Sequence, residues 1–292
     1  MSMTAATDFP AGAGLWQGAA KRLSRNRAAV AGIVVLAVMT VLAALAPVLS
    51  PHPMDAIDWS RIGAPPDWRA GYYFGTDAVG RDLFARTLYG ARISLSVGLL
   101  ASLVSLVIGV TYGAIAGFAG GLIDSVMMRA VDVLYALPYM FFVILLMVFF
   151  GRNVVLLFIA IGAVEWLDMA RIVRGQTLAL KHREFIEAAR AFGVPGFAIV
   201  RRHIVPNLLG PVVVFVTLTV PRVILLESFL SFLGLGVQEP MTSWGVLIAD
   251  GAKSMESAPW ALIFPALFLA ASLLALNFLG DGLRDALDPK DR

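Results

Sequence analysis

Long uncharged runs alternate with short polar ones along this chain. Residues 28–51, 93–123, 133–151 and 257–280 contain no Asp, Glu, Lys or Arg, and two further apolar runs, 154–174 and 207–230, contain only a few charges. A helix needs about 20 apolar residues to cross roughly 30 Å of hydrocarbon, whereas strands of a buried sheet give runs of about four to eight. The pattern therefore predicts an all-α polytopic membrane protein with six transmembrane helices, at 28–50, 93–119, 133–150, 154–174, 207–230 and 259–280. The competing architecture, one large soluble α/β core, does not produce such runs.

Residues 1–27 contain Lys21, Arg22, Arg25 and Arg27 directly before the first run. That run is longer than a signal-peptide core and has a proline after Ala44-Leu45-Ala46, so a retained span with a cytoplasmic N-terminal segment is expected. Residues 51–92, punctuated by Pro51, Pro53, Pro65 and Pro66, read as an extracytoplasmic loop. Within it Gly75 to Asp82 reads as a turn in which Thr76 or Asp77 caps a short interfacial helix that feeds the second span. Residues 93–280 hold the other five spans and a cytoplasmic loop at 175–206, and residues 281–292 form a cytoplasmic tail. On this topology fifteen Lys and Arg lie inside and seven outside, with Arg222 left in the membrane. Gly109, Gly113 and Gly117, four residues apart in the second span, predict close packing against another helix. Trp244 and Trp260 are expected at the outer interface.

Charges inside spans narrow the picture. An isolated charge at mid-bilayer costs about 2.5–3.5 kcal/mol on insertion scales, so Asp168 and Arg171 are expected to pair at i,i+3 as the fourth span leaves the membrane. Glu165 lies deeper and either faces a polar cavity on a transport path or has a structural partner such as Arg222. The fifth span combines Pro211 and Pro221 with Arg222 and Glu227, which suits either a pathway-lining helix or a charge-paired bundle interior. Pro138 predicts a bend near the start of the third span.

Composition then removes whole classes of function. Apolar residues make up 59% of the chain, and a net charge of +3 does not point to nucleic acid. There is no cysteine, and His52, His182 and His203 are far apart, so no metal centre or thiol chemistry is expected. No phosphate-binding glycine loop with a lysine, serine nucleophile elbow or paired-histidine metalloprotease motif occurs. Transport against a gradient then needs either an ion gradient or a second, energy-supplying subunit.

The loop at 175–206 favours a subunit. It contains Glu184, Glu187, Ala188, Ala189, Arg190, Arg201 and Arg202 among apolar residues, with Gly193-Val194-Pro195-Gly196 as a breaker. A helix over 182–192, this turn and a second short helix interrupted by Pro206 make a protruding knob too polar for lipid.

These residues carry a family resemblance. Glu187-Ala188-Ala189, then Gly193 and Val205-Pro206, resemble the EAA loop of binding-protein-dependent ABC importer permeases. With Gly75-Thr76-Asp77, Gly80-Arg81-Asp82, Tyr89-Gly90-Ala91-Arg92, Phe232 to Gly236 and the tail Gly280 to Pro289, the chain over about residues 20–290 is similar to the shorter "C" permease of dipeptide and oligopeptide importers. His203 departs from the general signature, which has an apolar residue there. The resemblance implies a type I importer permease fold with cytoplasmic coupling helices in a bacterial inner membrane, both termini cytoplasmic. It implies a non-catalytic chain without a cofactor of its own, ATP and Mg being used by two nucleotide-binding subunits. A paralogous permease, an extracytoplasmic substrate-binding protein, membrane lipid and a peptide cargo complete the implied partners, and no nucleic acid is among them. Nickel chelates, glutathione or peptide-like compounds stay open as cargo. An ion-coupled transporter and a non-transporting scaffold stay open as other functions. Glu187, Ala188, Ala189 and Gly193 are the matched coupling positions; Arg190, Arg201 and Arg202 are added as surface charge toward the ATPase. Glu165, Arg222 and Glu227 are the candidates to line or brace the path.

Overall fold

A computed structural model describes residues 15–151 and 154–287. The expectations for residues 1–14, for the outer turn at Arg152-Asn153 and for the tail beyond Leu287 lie outside the described residues. The chain folds as α1 (Leu15–Arg25), α2 (Arg27–Ala44), α3 (Ala46–Leu49), α4 (Leu83–Ala119), α5 (Gly121–Ala136), α6 (Tyr139–Phe150), α7 (Val154–Leu180), α8 (Glu184–Ala191), α9 (Gly196–Ile199), a π-helical turn (Val200–Ile204), α10 (Val205–Phe232), α11 (Trp244–Lys253) and α12 (Trp260–Leu287). Outside helices the described residues pair only in two isolated β-bridges, Asp67 with Tyr72 and Thr76 with Asp82.

Four helical stretches are long and apolar enough to cross a membrane, Arg27–Ala44, Leu83–Ala119, Gly196–Phe232 and Trp260–Leu287, and a fifth span exists if α5 and α6 count as one broken helix. Two of the six expected spans thus differ from a simple apolar rod. The one expected at 133–150 is split by a bend of 80°, because Pro138 has no N–H to donate and disfavours helical backbone at Leu137, which is extended at φ −76°, ψ 138°. Its apolar half, α6, is only about 18 Å long at 1.5 Å per residue. In α7, every 18-residue stretch includes Glu165, Asp168 and Arg171, too many charges for a lipid-facing rod.

The interfacial helix and second span expected separately are one 37-residue helix, α4. Its cap is Asp82, whose carboxylate accepts the Phe84 N–H at 2.9 Å, and not Thr76 or Asp77. Those two side chains are used earlier. Asp77 accepts from the N–H groups of Val79 and Arg81 and from the Arg81 guanidinium, closing the turn at Gly80. Thr76 Oγ1 accepts from Ala64 N and donates to the Arg61 carbonyl. Arg81 also reaches Glu239 on the loop between α10 and α11, and Trp260 Nε1 donates to the Thr76 carbonyl at 3.2 Å, so residues 50–82 form a cap tied to the helices beneath. Trp244 is fully buried and donates from Nε1 to the Thr87 carbonyl, a core position where an interfacial one was expected.

The centre of the bundle is the α4–α7 pair. A Cβ on Gly109 would stand 2.5 Å from Met169 Cβ, one on Gly113 would strike the Ala170 carbonyl, and one on Gly117 would stand 2.8 Å from Thr177 Cβ. The glycine stripe therefore lets two backbones touch, as its spacing predicted. Around this pair, α10 packs on α4 and α12, and α2 on α12. Replacing Gly113 with Leu is expected to destabilise this crossing by about 1–3 kcal/mol. Gly175→Ala, at an exposed position with nothing within 4 Å of the added carbon, is the silent control. Thermal unfolding of the detergent-purified protein checks both.

Candidate functional site

Two regions hold the residues singled out above, and the first is a knob at the ends of α7 and α10. The helix α8 begins two residues later than expected and ends in a reciprocal pair of backbone bonds, Gly193 N to the Arg190 carbonyl at 2.9 Å and Val194 N to the Ala189 carbonyl at 3.1 Å. That closure needs left-handed backbone at the residue after the cap, and Gly193 supplies φ +75°. Ile186, Ala189, Ile199 and Ile204 are buried against Ala114 of α4, Val173 of α7 and Leu208 of α10. The knob is thereby seated on three long helices.

Glu187, Ala188, Arg190, Arg201 and Arg202 are exposed, while Ala189 faces the core. Arg190 leans on the Phe118 ring at 5.0 Å. Sequence reasoning missed three phenylalanines here: Phe185, Phe192 and Phe197 are exposed, Phe192 by 87%. Their signal was present, since Phe192 and Phe197 flank the breaker outside any helical apolar period. The second short helix does not end at Pro206. Residues 196–232 run on as one helical stretch through the π-helical turn, where Val205 N bonds the Val200 carbonyl, five residues back. Pro206 lies inside that stretch, directly after the π-helical turn, and the helix continues through it.

The second region is the charged part of α7. Asp168 and Arg171 do not pair with each other. Arg171 donates to Asp132 on α5 at 2.9 Å and stacks over Tyr135 at 4.2 Å, and Asp168 meets Arg222 on α10 at 3.4 Å. Arg174 forms a two-pronged pair with Asp124 on α5, at 2.6 and 2.7 Å. Asp168, Arg171 and Arg174 are thus each answered from another helix, which removes more unpaired charge from lipid than an intrahelical pair. Between Tyr135, Glu165, Asp168 and Arg222 lies an open cleft of about 220 Å³.

Glu165, Arg222 and Glu227, the candidates to line or brace the path, lie in two different places. Glu165 and Arg222 border the cleft, Arg222 with 58% of its side chain exposed. Glu227, five residues and so about 140° further around α10, is fully buried. It accepts from Ser94 Oγ on α4 at 3.2 Å and from Ser231 Oγ at 2.7 Å, and Ser94 Oγ itself accepts from Trp244 N. Glu227 therefore braces α10 against α4 and α11. No group of three or more His, Cys, Asp or Glu able to hold a metal ion occurs among the described residues.

Comparison with known proteins gives consistent matches. The family model for the binding-protein-dependent transport system inner membrane component matches residues 109–292, and that for the N-terminal TM domain of oligopeptide transport permease C matches residues 14–66. The chain is 59% identical over 281 residues to the oligopeptide transport system permease protein OppC of Escherichia coli (strain K12), covering 96% of this chain and 93% of that one. It is 49% identical over 277 residues to the dipeptide transport system permease protein DppC of Bacillus subtilis (strain 168), covering 94% and 86%. A chain of the MetNI methionine ABC transporter, solved in inward-facing conformations, aligns with a TM-score of 0.55 at 18% identity, covering 70% of this chain and 96% of that chain. That last likeness shows the fold alone, an all-α polytopic one resembling an ABC importer permease.

The bracing role of Glu227 is testable by stability. Glu227→Ala leaves two buried serine hydroxyls without their acceptor and is expected to destabilise the protein by about 1–3 kcal/mol, while Glu227→Gln, which keeps an acceptor oxygen, loses much less. Denaturation midpoints of the two variants, measured side by side, decide it.

Proposed function

As a member of the family of binding-protein-dependent transport system inner membrane components, this chain is, we propose, the permease half that lines a peptide-translocation path together with a paralogous permease. It carries no catalytic site; two nucleotide-binding subunits hydrolyse ATP with Mg, and an extracytoplasmic binding protein delivers dipeptides or oligopeptides. The membrane is the bacterial inner membrane, with α8 and both termini on the cytoplasmic side. Counting α5–α6 as one bent span and α7 as a charge-paired one gives six crossings. Residues 50–82 then lie outside, where a binding protein docks.

The observation that carries this reading is the knob. Glu187, Ala188 and Arg190, with the phenylalanines, present a mixed charged and aromatic surface, while Ile186, Ala189 and Ile199 lock its other side onto α4, α7 and α10. A displacement applied by an ATPase at this surface is passed to the long helices as a rigid body. Arg201 and Arg202, exposed on the π-helical turn, extend the positive charge of the same end.

The path is assigned to the face bearing Asp168 and Arg222. An ion pair this exposed cannot face hydrocarbon without a cost of several kcal/mol, so water or protein covers it in the assembled importer.

Gly193→Val tests the coupling role. Nothing lies within 4 Å of the added carbon, so the effect is confined to left-handed backbone strain of about 1–2 kcal/mol at the turn. Proteoliposomes holding this chain with its permease partner, ATPases and binding protein are expected to take up labelled tripeptide with ATP. With Gly193→Val the complex should assemble at an unchanged level while uptake per ATP hydrolysed falls several-fold. Unchanged uptake by the variant removes the coupling assignment; absence of uptake by the unaltered complex, with its ATPase active, removes the peptide cargo.

A further inference from the structure

The cleft between α5, α7 and α10 is bordered by a carboxyl group that the fold leaves without a partner. Asp168 and Arg222 answer each other at 3.4 Å, but Glu165 has no ion-pair partner among the described residues. Its side chain is deeply set, with the residue only 9% exposed, and its Oε2 has no hydrogen-bond partner among them either. Two carboxylates and one guanidinium thus border one opening. Elsewhere α7 satisfies its charges fully, Arg171 through Asp132 and Tyr135, and Arg174 through both oxygens of Asp124. An unpartnered carboxyl group beside an opening in a membrane protein ionises at least cost when a cation enters that opening.

We propose that the Glu165–Asp168–Arg222 cleft is a subsite for the primary ammonium group of the translocated solute. Glu165 accepts the ammonium hydrogen bonds, and Arg222, steered by Asp168, remains a donor for a carbonyl a few atoms along the same molecule. A free peptide N-terminus has this arrangement, an ammonium followed by an amide oxygen. The volume of about 220 Å³ holds several waters at roughly 30 Å³ each and so admits a terminal residue with part of its hydration. One ion pair and one side-chain donor make a shallow site, as a conducting path requires, because a solute held tightly there would not leave. This inference rests on the reading of the cleft as part of a peptide path.

The test compares Ala-Ala-Ala with N-acetyl-Ala-Ala-Ala in the proteoliposome system. Affinity of the purified binding protein for each peptide is measured first, so that its own preference can be divided out of the uptake ratio. The complex is expected to favour the free tripeptide by about tenfold beyond the binding protein's preference, the scale of one charge-assisted contact. Glu165→Gln should abolish that excess, and Glu165→Asp, which keeps the charge, should restore most of it. An uptake ratio in the unaltered complex equal to the affinity ratio overturns the proposal without any variant, and so does an excess that survives Glu165→Gln in an assembled complex. No uptake of either peptide by the unaltered complex, with the binding protein loaded and the ATPase active, would overturn the peptide reading itself and this inference with it.

Discussion

Where α4 and α7 cross, one stripe of α4 carries no side chains at all, and the backbone of α7 fills the space at van der Waals distance. Gly109, Gly113 and Gly117 on α4 meet Met169, Ala170 and Thr177, and Gly162 returns the favour on α7 by receiving Val104. Lipid gives helices no hydrophobic reason to associate, so close packing of this kind is what holds a bundle together. Both candidate sites hang from it. The cleft residues Glu165 and Asp168 lie between the contacts at Gly162 and Met169 along α7, and α8 follows after the last of them, seated on Ala114 and Val173.

That contact also explains how α7 can be so charged. A helix pinned by its backbone cannot rotate its polar side away, so its charges must be answered where they stand. They are answered sideways, by Asp124 and Asp132 on α5 and by Arg222 on α10. The bend at Leu137-Pro138 belongs to the same solution, because it lets α5 lie where its carboxylates reach Arg171 and Arg174 while α6 turns off separately. The exception is Glu165. Its neighbours on α7 all have partners from other helices, and it has an opening instead.

Much of this was legible in the residues. Apolar run lengths placed the long helices, four-residue glycine spacing announced the close crossing, and the breaker at Gly193 to Gly196 located the turn of the knob. What failed were judgements of direction. Asp168 and Arg171 are near neighbours on one helix, yet side chains on α5 and α10 compete for them, and no single-helix periodicity contains that information. Thr76 and Asp77 have the chemistry of helix caps, but tertiary partners at Arg61, Ala64 and Arg81 claimed them, leaving Asp82 to cap α4. Trp244 looked interfacial because tryptophan so often is; a buried carbonyl acceptor on Thr87 gave its N–H a place inside. Pro206 looked like a stop, and the helix runs through it behind a π-helical turn.

The continuity of residues 196–232 has a mechanical consequence for the two sites. One helical stretch begins in the knob and carries Arg222 into the cleft, about 39 Å further along at 1.5 Å per residue. Between them stand Pro206, Pro211 and Pro221, none with an N–H to donate, so the stretch is weakest near its start, part-way along and again beside Arg222. Beyond that point Glu227 ties it to Ser94 on α4 and, through Ser94, to Trp244. A tilt imposed at the knob is therefore resisted at Glu227 and yields most readily at the prolines. The Asp168–Arg222 pair joins α7 to α10 across the cleft, one residue beyond Pro221.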